Sequence, residues 1–230
     1  MTSLLSHSAV WGTLLTIAAY GTAVWLQRRI KKSWCNPLLL CVVLLIAFLA
    51  ATKIPCADYR AGASPISWLL LPATVCLAIP LYEKLGLLRE NLPAILAGIA
   101  AGAFASLGSV LAMAWVFRLE KAQAVTLLPK SVTTAIGMDV ASSLGGIPAL
   151  AGAIIILTGI VGNLSCRWLC RVLRITDPVA KGIAIGTGSH AIGTAKALEL
   201  GEVEGAMSGL AVAVAGILTA VLAPLAAQLL

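Results

Sequence analysis

Long apolar runs separated by short polar segments dominate this chain. Asp, Glu, Lys and Arg are absent from the stretches 8–26, 33–52, 61–82, 91–117, 140–166 and 205–230. Each stretch reaches the roughly 20 residues that an α-helix needs to cross a bilayer. The pattern predicts membrane-spanning helices at about 8–27, 35–53, 65–82, 91–118, 146–170 and 204–229.

Two further segments, 124–142 and 180–200, are nearly as long but contain charges and glycines. Each could cross the membrane as a broken helix, or re-enter and leave on one side. The positive-inside rule favours re-entrance slightly, because Arg167, Arg171 and Arg174 then lie on the cytoplasmic side. The predicted fold class is all-α, a polytopic integral membrane protein with about 6–8 membrane segments.

Composition supports a membrane protein, since 60% of the residues are hydrophobic, 11% are charged, and the mean hydropathy is +1.00. Soluble domains have about 25% charged residues. The net charge of +7 is assigned to the orientation of helices in the bilayer, and no nucleic-acid partner is predicted. Because the basic cluster at 27–32 follows the first apolar run, we expect an uncleaved first span with a periplasmic N-terminus.

Cysteine and histidine spacing gives no sign of a metal centre. Cysteines occur at 35, 41, 56, 76, 166 and 170 without a CxxC motif, and His7 and His190 lie far apart. No metal and no cofactor are predicted. Neither a metalloprotease motif nor a phosphate-binding loop is present, so we expect no enzymatic activity.

An internal repeat links the two mixed segments. The tripeptide Ala135-Ile136-Gly137 recurs as Ala191-Ile192-Gly193, and Leu144-Gly145 recurs in the same register as Leu200-Gly201. A weaker copy begins at Leu71-Pro72, which matches Leu128-Pro129. The single predicted domain, 1–230, would then contain repeat units at 66–118, 124–173 and 180–230. Repeats with interrupted segments at equivalent places indicate a transport site.

The first interrupted segment reads LLPKSVTTAIGMD at 127–139. An ionisable residue at membrane depth is costly and usually faces a cavity or a partner. Lys130 and the hydroxyl groups of Ser131, Thr133 and Thr134 are therefore candidate ligands. Two alternatives remain: the lysine could reach the membrane surface, and the hydroxyl groups could bond only to backbone carbonyls.

The second interrupted segment reads GTGSHAIGTAKALE at 186–199. Freed backbone N–H groups at a broken helix attract anions, and cationic side chains add to that attraction. Candidate ligands are Ser189, His190, Gly193, Thr194 and Lys196. His190 could instead form only a structural hydrogen bond to a neighbouring helix. The residues predicted to break helices are Pro72, Pro129, Gly137, Gly186 and Gly188.

Four stretches together resemble the LrgB family, also called CidB/LrgB or antiholin-like LrgB. They are NPLLL at 36–40, WLLLPATVCLAIPLYEKLGLLREN at 68–91, LLPKSVTTAIGMDVASSLGGIPAL at 127–150, and GIAIGTGSHAIGTAKALELGEVEGAMSGLA at 182–211. The resemblance extends to the C-terminal half of the plant plastidal glycolate/glycerate translocator. The chain departs from the family pattern at Ala135, where a proline is expected.

The resemblance implies a bacterial inner-membrane protein that works beside a small LrgA/CidA-like membrane protein. Together with the interrupted segments, it predicts a transporter or facilitator of small carboxylates of the glycolate, glycerate and pyruvate class, working as a homo-oligomer in the lipid bilayer. The alternative is an antiholin-like regulator of murein hydrolases and cell lysis.

Overall fold

The computed structural model describes residues 10–30, 37–76 and 78–230, and within these ranges the secondary structure is helical, without strands. The all-α fold class is confirmed. The chain divides into two compact units, Met1–Cys76 and Leu77–Leu230.

The first unit contains four described helices: α1 (Trp11–Ile30), α2 (Pro37–Thr52), α3 (Cys56–Gly62) and α4 (Ser64–Cys76). Helices α1 and α3 meet at two glycines, since a Cβ atom added to Gly12 would lie 2.7 Å from the backbone of Gly62. The Thr16 and Tyr59 hydroxyl groups are 2.7 Å apart across the same contact. Small residues thus allow the backbones to approach closely, as in other membrane helix pairs.

The second unit contains α5 (Ala78–Glu83), α6 (Leu85–Phe117), α7 (Lys121–Leu127), α8 (Thr134–Ser143), α9 (Pro148–Val172), α10 (Pro178–Leu200) and α11 (Glu202–Ala227). Within the described residues, three helices are long and apolar enough to cross a membrane: α6, α9 and α11. Together with the shorter apolar helix α2, they support a polytopic membrane protein.

Helix α10 folds back on itself at His190. Its backbone there has φ 42° and ψ −146°, outside the helical region. A Cβ atom on Gly193 would lie 3.2 Å from the carbonyl oxygen of Ile185, eight residues earlier, which a straight helix cannot allow. Ile185 and Ala197 also share one buried cluster. The segment is therefore a hairpin with arms at 178–189 and 191–200, which we call the second hairpin.

Helices α7 and α8 form the first hairpin, 121–143, whose turn occupies 128–133. A Cβ atom on Gly137 would lie 3.2 Å from the Pro129 carbonyl oxygen. Beyond the end of α8, the backbone N–H of Ile147 donates to Thr126 Oγ1 of α7 at 2.9 Å. The returning helix thus runs back along the entering one.

The arms of both hairpins are too short to cross a bilayer. The longest, 178–189, extends about 18 Å at 1.5 Å per residue, whereas the hydrocarbon core is about 30 Å thick. Both interrupted segments thus have the hairpin geometry expected of re-entrant segments, the alternative that the positive-inside rule favours slightly.

The hairpins enter from opposite ends of the second unit. The first enters where α6 ends and α9 begins; this is the Glu120 end. The second enters where α6 and α11 begin, and we call this the Asp177 end. A 3.1 Å ion pair between Lys84 and Glu202 joins the two helices there. Each hairpin is followed by a long helix, α9 or α11, and the two hairpin–helix pairs run in opposite directions.

The predicted helix breaks occur, but most of the predicted breaking residues do not cause them. Helix α4 continues through Pro72, and prolines are tolerated in membrane helices when neighbouring groups satisfy the freed backbone. Gly137 lies inside α8 and packs against Ile155. Gly186 and Gly188 lie within the first arm of the second hairpin, before the turn at His190. Pro129 is inside the first turn, as predicted.

Candidate functional site

A cavity of about 740 Å³ lies between α6, the turn of the first hairpin and the first arm of the second hairpin. It follows α6 from Asn91 to Ser109, about 27 Å at 1.5 Å per residue. Gly98 and Gly102 of α6 face Ile183 and Thr187 of the arm. Small residues thus bring the two helices close together beside the cavity.

Lys130 and Ser131 bring the predicted cation and hydroxyl group into this cavity. Lys130 Nζ donates to Ser106 Oγ at 3.2 Å and to Ser131 Oγ at 3.3 Å, and Ser106 Oγ donates to Ser131 Oγ at 3.0 Å. Ser106 lies about 17 Å along α6 from Phe117, so this cluster is well inside the length of an apolar helix that is long enough to cross a membrane. Both bonds hold the Lys130 ammonium group inside the protein, against α6 and the first turn.

The ion pairs found among the described residues do not include Lys130. They join Lys84 to Glu202 and Lys196 to Glu199. Asp177 also lines the cavity, but at the N-terminus of α10, where its carboxylate accepts a hydrogen bond from the Ala180 N–H at 2.8 Å. The two charged side chains that line the cavity, Asp177 and Lys130, therefore lie at opposite ends of it.

Sequence reasoning missed the contribution of α6. Ser106, Ser109 and Asn91 line the cavity, together with Thr187 of the second hairpin. A usable signal was present, because polar and small residues recur at helical spacing on one face of α6: Asn91, Ala94, Gly98, Gly102, Ala105 and Ser109. The apolar pattern of the stretch predicts only a membrane-spanning helix.

Two of the predicted hydroxyl residues flank the first turn without lining the cavity. Thr133 precedes the first residue of α8, and its carbonyl accepts from the Gly137 N–H at 2.8 Å. Thr134 faces α9, where its Cγ2 would lie 3.6 Å from a Cβ atom on Gly152. Their predicted role in binding stays a prediction.

The predicted ligands around the second turn are mostly buried against other helices. His190 Nε2 lies 2.8 Å from the Ile155 carbonyl oxygen, the structural hydrogen bond left open as an alternative. Ser189 packs on Gly162 of α9, and Gly193 packs on Ser189. Thr194 Oγ1 lies 2.8 Å from Ser208 Oγ of α11. None of these residues lines the cavity.

Lys196 also does not line the cavity. Its ammonium group bonds to Glu199 Oε2 one turn later. The two hairpins nevertheless approach each other beside α9. Ile155 of α9 lies between them, with its side chain against Gly137 and its carbonyl oxygen bonded to His190.

Comparisons with known proteins show the family of the chain. Residues 16–229 match the model of the LrgB-like family. The chain belongs to the LrgB-like family. It is 35% identical over 216 residues to the proteins named antiholin-like protein LrgB from Bacillus mycoides (strain KBAB4), Bacillus cereus (strain B4264) and Bacillus anthracis (strain CDC 684 / NRRL 3495). Each alignment covers 94% of this chain and 94% of the relative.

The family match spans both compact units and includes both hairpins. No solved structure matches the chain. The family match and the apolar helices together describe a membrane protein, and among the described residues Lys130 lines its cavity without an ion-pair partner.

Proposed function

We propose that this chain is a transporter or facilitator of small carboxylates in the bacterial inner membrane. The observation that supports it is the ammonium group of Lys130, deep in a membrane protein, surrounded by hydroxyl groups and facing a cavity. Charged groups inside a membrane are expensive and usually mark an ion or substrate pathway. A cation with neutral hydrogen-bond donors is suited to an anion.

The inverted hairpins suggest how such an anion would cross. The cavity extends from the Asp177 end to the first turn, so an anion from that end could reach Lys130. Beyond Lys130, the first hairpin packs against α6 and the end of α11 through Leu107, Val125, Leu128 and Ala223. Movement of the two hairpins relative to α6 would open the same site towards the Glu120 end.

The test is uptake of radiolabelled glycolate, glycerate, pyruvate and lactate into proteoliposomes. Lys130→Ala should weaken the binding site about 10- to 150-fold, because a hydrogen bond to a charged group contributes roughly 1.5–3 kcal/mol. Lys121→Ala removes an exposed lysine at the start of α7 and should leave uptake near the wild-type level. Unchanged uptake in Lys130→Ala, at equal protein abundance, would exclude this site.

A second candidate function is regulation of murein hydrolases and lysis, and the names of the relatives favour it over transport. Proteins 35% identical over nearly the full chain are named antiholin-like. Such a regulator would act by assembly with a small LrgA/CidA-like membrane protein, or with further copies of this chain. If regulation is the whole function, wild-type protein should show no carboxylate uptake with or without that partner. Lys130→Ala should then still modulate autolysis in cells.

A further inference from the structure

We infer that Ser106 of α6 is a positioning residue that makes Lys130 and Ser131 present two adjacent hydrogen-bond donors to one anion. This inference rests on the proposed function. It concerns a helix for which the sequence pattern predicts only membrane crossing.

The donor count around Ser106 follows from the chemistry of the three side chains. A lysine ammonium group has three N–H donors and no acceptor. Two of its protons are directed to Ser106 Oγ and Ser131 Oγ, at 3.2 Å and 3.3 Å. One N–H of Lys130 therefore remains for a ligand in the cavity.

Ser131 is turned into a donor by the same arrangement. Its hydroxyl oxygen accepts from Lys130 Nζ and, at 3.0 Å, from Ser106 Oγ, which occupies both of its lone pairs. The Ser131 proton has no hydrogen-bond acceptor among the described residues. Because Ser131 lines the cavity, that proton is available to a ligand there.

Two donors on neighbouring groups match the two oxygens of a carboxylate. One oxygen would accept from Lys130 and the other from Ser131, as in the paired contacts that make bidentate recognition selective. Ser106 contributes by filling the second lone pair of Ser131 and by fixing the lysine. Without Ser106, the Ser131 hydroxyl group can rotate, and the lysine loses one of its two anchors.

The experiment measures radiolabelled glycolate uptake into proteoliposomes as a function of glycolate concentration. Ser106→Ala should raise the half-saturating concentration about 2- to 13-fold with little change in maximal rate, from a hydrogen bond worth roughly 0.5–1.5 kcal/mol. Ser106→Thr retains a hydroxyl group and should restore the wild-type value. Ser165→Ala, whose hydroxyl group bonds only within α9, is the matched control.

A double-mutant cycle with Ser131→Ala tests whether Ser106 acts through Ser131. In the Ser131→Ala background, Ser106→Ala should have clearly less effect than in the wild type, because coupled residues are not additive. Additive effects, or an effect equal to that of Ser165→Ala, would overturn the role of Ser106 while leaving the transport function intact. Absence of glycolate uptake in the wild type, or full uptake in Lys130→Ala, would overturn the transport site and this inference together.

Discussion

At the scale of single residues, His190 has the most unusual conformation in the second unit. A positive φ is rare for residues other than glycine, and such conformations cost of order 1–3 kcal/mol. Two contacts hold it: Nε2 lies 2.8 Å from the Ile155 carbonyl oxygen, and the His190 carbonyl accepts from Thr194 Oγ1 at 3.1 Å. These contacts thus offset the cost of a backbone conformation that glycine would adopt more easily.

Close packing of the His190 ring on α9 leads to a stability prediction. A Cβ atom on Gly159 would lie 2.7 Å from His190 Cε1 and 2.8 Å from Nε2. Gly159→Ala should destabilise the protein by about 1–3 kcal/mol through overpacking, measured as a lower thermal midpoint in detergent. Gly108→Ala, which meets no atom within 4 Å, is the control. Equal midpoints for the two variants would contradict the packing described for His190.

At the scale of elements, each hairpin turns at the membrane interior without exposing its turn to lipid. Irregular backbone at membrane depth is tolerated only when protein or a water-filled cavity surrounds it. The second turn satisfies this condition against α9, where Asn163 Nδ2 donates to the Ile192 carbonyl at 2.9 Å. The first turn meets the same condition because it faces the cavity and bonds to itself. The backbone N–H of Lys130 donates to the Leu127 carbonyl at 3.1 Å.

Re-entrance predicts which positions share a side of the membrane. In a background without the native cysteines, Arg174→Cys and Glu199→Cys should react with a membrane-impermeant maleimide from one side. Lys121→Cys and Ser143→Cys should both react from the other side, because all four residues are exposed beside the ends of the hairpins. Labelling of Arg174→Cys and Glu199→Cys from opposite sides would mean that 178–200 crosses the membrane.

At the scale of the whole molecule, charge distinguishes the two ends of the second unit. The Asp177 end has the larger share of basic residues: Lys84, Arg89, Arg167, Arg171, Arg174, Lys181 and Lys196. The Glu120 end has Arg118 and Lys121. By the positive-inside rule, the Asp177 end should be cytoplasmic. The cavity in this structure would then be reached from the cytoplasm.

The orientation of the first unit is a separate prediction from the basic cluster at 27–32. Ser3→Cys should be labelled from the periplasm, whereas Lys31→Cys should not, since positive loops stay in the cytoplasm. Both positions lie outside the described residues, so this measurement tests the sequence argument alone. The reverse labelling pattern would show that the first span has the opposite orientation.

The sequence by itself determined the membrane class and the positions of both interruptions, and it singled out Lys130 and Ser131, which line the cavity. These features are local: apolar length, proline and glycine placement, and a charge inside an apolar region. Even so, several residues that the sequence pattern predicts as helix-breaking lie within helices. Thr187, which lines the cavity, was quoted in the second motif but not selected as a ligand.

Tertiary structure decided that the interrupted segments fold back, and that α6 completes the site. Both depend on contacts between residues far apart in the chain, such as Gly102 with Thr187 and Ser106 with Lys130. A soluble helix shows its buried face as an apolar stripe. A membrane helix is apolar towards both lipid and protein, so the small and polar face of α6 marks a packed side of the helix without showing which segment packs there.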